Sequence, residues 1–133
     1  MDKLEYIPRD LVSVYVGIKK YIVEVIGTEN ENEVLSYQIK FPNGEIQYAD
    51  KDNIVPIPLT TEILEKNGWK DDGYDWYKFP TKRAYLYITK DITTLGEFLV
   101  CVGLDRHNLA SINFVHQLQH LLFGLGLNSE MEV

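Results

Sequence analysis

The sequence predicts an α+β protein from three observations. Five short runs rich in Val, Ile and Tyr fill residues 11–57 and are separated by turn signals. The prolines of Pro56-Ile57-Pro58 then interrupt regular strand pairing. The longest helical periodicity lies in Ser111–Gly126, SINFVHQLQHLLFGLG. We therefore expect a small antiparallel β-barrel over residues 1–57 and an α+β unit over residues 58–133.

The N-terminal runs are LVSVYV, KKYIVEVIG, EVLSYQIKF, EIQYA and NIVPI. Gly17, the polar segment Thr28 to Asn32 and Pro42-Asn43-Gly44 separate the first four, and Asn-Gly is a strong hairpin signal. A flat sheet of this size would leave one face exposed. Short strands joined by tight turns therefore favour a strongly bent barrel.

The phrase YQIKFPNGEIQYADKDNIVPI, from Tyr37 to Ile57, resembles the last three strands of an SH3-like or Tudor-like barrel. This resemblance implies binding of peptides, modified side chains or nucleic acid. Tudor-like barrels use aromatic rings as a cation-binding cage. The rings available for one are Tyr15, Tyr21, Tyr37, Phe41 and Tyr48. Barrel core and cross-strand pairs are the favoured alternative for these rings.

After the prolines, a short helix is expected, with Thr60 or Thr61 as N-cap and Asn67-Gly68 as its end. Asp72-Gly73 then predicts a hairpin turn. A three-stranded antiparallel meander follows, with strands at Tyr74 to Phe79, Ala84 to Thr89 and Phe98 to Gly103.

The segment Asp105 to Leu109 is predicted to be a polar loop before the C-terminal core helix, for which Ser111 or Asn113 is the expected N-cap. The apolar stripe of this helix is formed by Val115, Leu118, Leu122 and Leu125, widened by Phe114 and Leu121. The final NSEMEV predicts a short extended tail or a frayed helix end.

Two phrases resemble short uncharacterised proteins of Bacteroides-type bacteria, their prophages and phages. They are IPLTTEILEKNGW at Ile57 to Trp69 and FVHQLQHLLFGLG at Phe114 to Gly126. The chain departs from that pattern with His120 in place of Asn and Gly124 in place of Ala. The resemblance implies a mobile-element context and contributes no mechanism.

Composition argues against direct binding of nucleic acid. The formal net charge is -7, with -4 in residues 1–57 and -3 in residues 58–133, so neither half is basic. An acidic surface leaves DNA mimicry open. No run approaches the roughly 20 apolar residues of a membrane span, and MDKLEYIPRD lacks a signal-peptide core. We expect a cytoplasmic protein, in the host cell if it is phage-encoded.

His116 and His120 are the weak candidate metal ligands, because residues four apart share a helix face. Gln117 stands where a zincin motif has Glu, and no nearby cysteine supplies a third ligand. A polar helix face or interface is the favoured alternative, with both histidines off the apolar stripe and facing solvent or a partner.

Catalytic motifs are missing from the sequence. Cys101 lies in the apolar run FLVCVGL, which is unsuited to a thiolate, and Asp105-Arg106-His107 lacks an evident nucleophile. Neither a Gly-rich phosphate loop nor a G-x-S-x-G elbow occurs. We therefore expect a non-enzyme with no cofactor.

The predicted recognition surface is aromatic and acidic. Its members are Trp69, Asp72, Tyr74, Trp76 and Tyr77, flanked by Asp71 and Asp75. Trp and Tyr are favoured at binding hot spots. Strand alternation from Tyr74 would place Tyr74 and Trp76 on one face, with Asp75 and Tyr77 on the other. Core or rim packing is the alternative for each ring.

These features predict a non-enzymatic protein-interaction factor of phage or mobile-element type. Its expected partner is a host or phage protein, and an accessory or anti-defence role would fit. The alternatives are a nucleic-acid-binding or DNA-mimic protein, and a sink for a small ligand or nucleotide. The broad apolar helix face and the short chain also allow a homodimer.

Overall fold

Two antiparallel sheets and two α-helices build the chain in a computed structural model that describes residues 6–31, 34–79, 85–90, 97–103 and 105–133. The helices are α1 (Thr61–Lys66) and α2 (Val115–Gly124). The strands are β1 (Leu11–Val16), β2 (Lys19–Glu31), β3 (Val34–Lys40), β4 (Ile46–Asp50), β5 (Ile54–Pro56), β6 (Lys70–Gly73), β7 (Trp76–Phe79), β8 (Leu86–Lys90), β9 (Phe98–Val102) and β10 (His107–Ile112). The predicted α+β class is confirmed.

The first sheet has the strand order β4-β3-β2-β1-β5. Most of its strands follow the predicted runs, because alternating Val, Ile and Tyr residues give each strand one apolar face. The predicted polar loop from Thr28 to Asn32 is wrong, because β2 continues to Glu31 and pairs there with β3. Val12, Val14, Val23 and Val25 are buried in its core with Tyr37. The sheet is open in the described residues, with β4 and β5 as its edges. The predicted closed barrel is therefore not confirmed.

The second sheet is larger than predicted. Its order is β10-β9-β8-β7-β6, a five-stranded meander instead of a three-stranded one. The expected central strands are present as β7, β8 and β9. The two edge strands escaped prediction because all four β6 residues are exposed and β10 contains a register shift between Asn108 and Ala110. Neither β6 nor β10 therefore has the alternation of apolar and polar residues that predicts a strand.

Helix α2 begins later than its periodicity indicates. Ser111 and Ile112 pair with Leu99 and Phe98 on β9, so Ser111 cannot be the N-cap. The N-cap position is Phe114, and the Gln117 side chain reaches back to accept hydrogen bonds from the Asn113 and Phe114 backbone N–H groups at 2.7 and 3.2 Å. Neither predicted N-cap residue takes that position.

The buried face of α2 joins the second core. Val115, Leu118 and Leu122 pack there with residues of β8 and β9, whereas Leu125 is 39% exposed and lies beyond the helix. Two backbone hydrogen bonds attach the start of α2 to the proline segment. Leu59 N donates to Asn113 O, and Val115 N donates to Ile57 O, each at 2.9 Å. The segment after the prolines is thus held against the start of α2 by backbone hydrogen bonds.

The C-terminal tail is also docked. Asn67, which ends α1, donates to Glu132 O and accepts from Glu132 N, both at 2.7 Å. Lys66 Nζ adds a bond to Val133 O at 3.0 Å. Met131 and Val133 pack against the second core. The tail has no regular secondary structure and is attached to α1 by these bonds.

Thr60 caps α1 as predicted, accepting a hydrogen bond from Ile63 N at 3.2 Å. Thr60→Ala is expected to lower the free energy of unfolding by about 1 kcal/mol, because it leaves a helix-terminal N–H group without its side-chain acceptor. Urea titration followed by circular dichroism measures the change. Thr61→Ala is the matched control, and an equal loss in both variants would show that the cap contributes nothing specific.

Candidate functional site

The predicted recognition surface centres on the β6–β7 hairpin. Its turn is Tyr74-Asp75, two residues after the predicted start, because Asp72 and Gly73 still belong to β6. Tyr74 and Asp75 have φ values of 54° and 65°, as a two-residue type I′ turn requires, although Gly, Asn and Asp are the favoured residues there. Tyr74 is 98% exposed. A large aromatic ring therefore stands at the tip of a tight turn.

Arg106 organises the surface beside this tip. Its guanidinium carbon lies 4.5 Å from the Trp76 ring centroid and 4.6 Å from that of Tyr87, and its Nη2 is 3.1 Å from Asp72 Oδ2. Cation–π contacts and an ion pair thus act on one side chain. Trp76 is half-buried, whereas Asp72 is exposed. We call Asp72, Tyr74, Trp76 and Arg106 the hairpin surface.

Two of the predicted members lie elsewhere. Trp69 is 2% exposed and packs on Phe79 with ring centroids 4.8 Å apart, so it belongs to the second core. Tyr77 is half-buried, and its hydroxyl donates to Glu65 Oε1 at 3.4 Å. Partial burial, together with the Glu65 and Asp71 charges, raises the pKa of Tyr77. The predicted alternation from Tyr74 fails because β7 starts only at Trp76.

The five rings considered for a cation cage are separated by the fold. Tyr37 is in the first core, and Tyr21 pairs with Phe41 at 5.7 Å. Tyr15 and Tyr48 remain, 47% and 60% exposed, lining an open groove of about 610 Å³. Glu29 and Asp50 line the same groove, and its described lining includes no Lys or Arg. This groove has the chemistry to receive a cation.

The motif His116-Gln117-Leu118-Gln119-His120 joins the two halves of the chain. Gln119 is 2% exposed, and its Oε1 accepts from Leu11 N at 2.9 Å. Its Nε2 donates to Arg9 O at 3.0 Å and to Ser129 O at 3.2 Å. One side-chain amide thus connects α2 to the start of β1 and to the C-terminal tail.

His120 lies beside Gln119 and contacts Asp10. The distance from His120 Nε2 to Asp10 Oδ2 is 2.6 Å, and Asp10 Oδ2 also accepts from Ile7 N at 2.9 Å. Asp10 is 2% exposed, and this burial raises the pKa of its carboxyl although the bonds from Ile7 and His120 act in the opposite direction. The His120 side chain is 33% exposed, and its Nε2 is engaged by Asp10 within the protein, a contact that the prediction did not include.

His116 is buried as well. It is 3% exposed, stacks on Phe114 with ring centroids 5.9 Å apart, and contacts Tyr6 edge-on at 5.0 Å. Its Nδ1 is buried without a hydrogen-bond partner. Burial, with a smaller contribution from the charge of His120, lowers the pKa of His116 to about 4. The prediction that His116 faces solvent or a partner is wrong.

The two candidate metal ligands have ring centroids 5.5 Å apart. Within the described ranges, no group of three or more His, Cys, Asp or Glu side chains is placed to hold a metal ion. Of the two histidines, only His120 borders a cleft of about 280 Å³, which lies between residues 7–10 and the second half of α2. We call it the junction cleft, and His120, Asp10 and Phe123 are among its walls.

Sequence reasoning missed Asp10, Arg9 and Gln119 at this junction. Asp10 meets His120 across 110 residues of sequence, and Gln119 meets Leu11 across 108. The available signal was Gln119 itself, a polar residue next to the apolar stripe of α2. Pairing partners so far apart cannot be assigned from local pattern.

The remaining reactive residue types lie apart from the junction. Cys101 is buried, its Sγ donates to Asn108 Oδ1 at 3.3 Å, and burial raises the pKa of its thiol. His107 Nε2 is 2.6 Å from Asp105 Oδ2, with both side chains largely exposed. Because both side chains are exposed to water, neighbouring residues do not hold the His107–Asp105 pair in a fixed geometry.

Comparison of the chain with protein-family models, with curated proteins and with solved structures finds no match. Function must therefore be argued from the surfaces themselves. A search of the described residues finds no helix with the length and apolar character to cross a membrane.

Proposed function

We propose that this chain is a non-enzymatic protein-interaction factor that binds its partner protein through the hairpin surface. The observation that carries the proposal is Tyr74, 98% exposed with a φ of 54°. A non-glycine residue in this conformation costs on the order of 1 kcal/mol, and such strain is concentrated at functional positions. Asn or Gly would relieve this backbone strain. The tyrosine at this position therefore lowers the stability of the turn, which points to a role for its ring.

Surrounding contacts support a preorganised binding surface. Thr89 Oγ1 donates to Asp75 O at 2.9 Å, and Asp71 Oδ1 accepts from Gly73 N at 2.8 Å, so both sides of the turn are tied down. Arg106 is fixed between Trp76 and Asp72. An aromatic tip beside a positioned Trp and Arg has the composition of an interface hot spot, with little entropy to lose on binding.

The partner is a host or phage protein, and the mobile-element context rests on the resemblance of two sequence phrases. The Tyr15 and Tyr48 groove is a second interaction surface of the same class, suited by Glu29 and Asp50 to a basic side chain. We also propose that the first sheet, although it is not closed in the described residues, has the SH3-like fold. Its strand order, with β1 between β2 and β5, supports that assignment.

Tyr74→Asn tests the hairpin surface, because asparagine tolerates positive φ and leaves the turn intact while removing the ring. Tagged wild-type and variant proteins are used to capture partners from lysate of a Bacteroides-type bacterium, with and without phage infection. Quantitative mass spectrometry is expected to show at least one partner whose recovery falls about tenfold in the variant, the loss expected of one hot-spot aromatic.

Two further variants make the result specific. Ile18→Asn changes a 99% exposed residue of the β1–β2 turn and is expected to leave capture unchanged. Tyr48→Thr removes a ring from the groove. Capture lost with Tyr48→Thr but retained with Tyr74→Asn would move the binding surface to the groove, and capture of no partner by the wild type would contradict the proposed function.

A further inference from the structure

We propose that the junction cleft binds a small carboxylate with an apolar body, in which Arg9 receives the carboxylate and Phe123 covers the body. This site is separate from the hairpin surface and from the groove of the first sheet. Its ligand class follows from the size of the cleft, from its apolar walls and from the one charge in it that has no partner in the described structure.

The cleft has room for a small organic molecule. Its volume of about 280 Å³ corresponds to roughly nine water molecules at liquid density, which suits a ligand of about ten non-hydrogen atoms. Ile7, Pro8 and Phe123 give it apolar walls, and Phe123 is 66% exposed on the last turn of α2. An exposed ring beside a concave apolar wall favours a planar apolar group.

The charges in the cleft favour an anion. Asp10 is buried, and its Oδ2 already accepts from Ile7 N and contacts His120 Nε2. This carboxylate oxygen is therefore already held by groups of the protein itself. Arg9 has an exposed side chain and takes part in none of the ion pairs formed by the described residues. Its guanidinium can bind a carboxylate through two parallel hydrogen bonds.

The backbone holds Arg9 at this position. Its φ is 81°, in the left-handed region that non-glycine residues rarely adopt. Arg9 N donates to Val25 O at 2.7 Å, and Arg9 O accepts from Gln119 Nε2 at 3.0 Å. The strained conformation is thus fixed by both halves of the chain before any ligand arrives. Such preorganisation reduces the entropy lost on binding.

Three probes that share a phenyl ring test the inference, namely benzoate, benzyl alcohol and benzylamine. Each is titrated into ¹⁵N-labelled full-length protein and followed by two-dimensional NMR. Benzoate is expected to shift the amides of Arg9, His120 and Phe123 and the side-chain amide of Gln119, and to bind at least about tenfold more tightly than the other two. Equal affinity for the alcohol or the amine, or shifts confined to other residues, would overturn the proposal.

Variants of the cleft separate charge from shape. Arg9→Gln is expected to weaken benzoate binding about tenfold, and Arg9→Lys, which keeps the charge but loses the two parallel hydrogen bonds, is expected to have an affinity between those of the wild type and Arg9→Gln. Phe123→Ala removes the exposed wall and is expected to weaken all three probes. Ile18→Asn, far from the cleft, should change none. Unchanged benzoate affinity in Arg9→Gln, with the spectrum of a folded protein, contradicts the role of Arg9.

Discussion

Gln119→Ala is expected to lower the free energy of unfolding by about 3 kcal/mol. The side chain is 2% exposed, and its amide makes three hydrogen bonds to backbone groups of Leu11, Arg9 and Ser129. Truncation leaves one N–H and two C=O groups without their partner, and each such buried or partly buried group costs on the order of 1 kcal/mol.

Chemical denaturation followed by tryptophan fluorescence measures this loss. Gln119→Glu is a sharper second variant, since a carboxylate still accepts from Leu11 N but cannot donate to Arg9 O or Ser129 O. It is expected to be at least as destabilising as alanine at neutral pH. Gln47→Ala, at an exposed position of β4, is the matched control. A loss in Gln119→Ala no larger than that of the control would show that the amide does not connect the two halves.

Acidification is expected to destabilise the fold through His116. Its pKa is about 4 in the folded protein, against an ordinary value of 6.5. Below pH 6.5 the unfolded chain therefore takes up a proton that the folded protein refuses, and stability falls with pH until the folded pKa is reached. The pKa difference corresponds to about 3 kcal/mol in all, of which about 2 kcal/mol is lost between pH 7 and pH 5.

The measurement is the free energy of unfolding at half-unit steps of pH in the wild type and in His116→Phe. Phenylalanine keeps an aromatic ring against Phe114 and Tyr6, and the pH slope between 7 and 5 should become markedly shallower. His120 and Asp10 also border this region. The raised pKa of Asp10 acts in the opposite direction near its own titration, so the comparison is confined to pH 5 and above. An unchanged slope in His116→Phe would refute the assignment.

Local pattern was sufficient for α1 and for most of the first sheet, but not for the end of β2, where Thr28 to Glu31 pair with β3 although they carry no apolar alternation. The runs from Leu11 to Pro56 alternate or carry β-branched residues between turn signals, and each can be recognised within about ten residues. Thr60 and Gly68 likewise act locally, Thr60 by capping the first turn and Gly68 by taking a φ of 90° after the last. These features need no knowledge of distant residues.

The hairpin surface was predicted in part. Asp72, Tyr74 and Trp76 lie together as expected, but the strand register could not be derived from the order of residues. A shift of two residues in the turn moved Tyr74 from a strand face to the hairpin tip. Trp69 was placed in the core because Phe79, ten residues later, comes to lie against its ring. Arg106 had no signal at all, since it reaches Trp76 only once β8, β9 and β10 have assembled.

By itself, the sequence determined the α+β class, most strands of the first sheet, the short capped helix and the buried Val115, Leu118 and Leu122 of α2, because each depends on contacts between near neighbours. The tertiary structure alone decided that the polar side of that helix is a junction. Gln119 binds backbone groups of residues 9, 11 and 129, while His120 meets Asp10. Hydrogen bonds across more than 100 residues depend on how the sheets and the helix pack together, and no local periodicity encodes that packing.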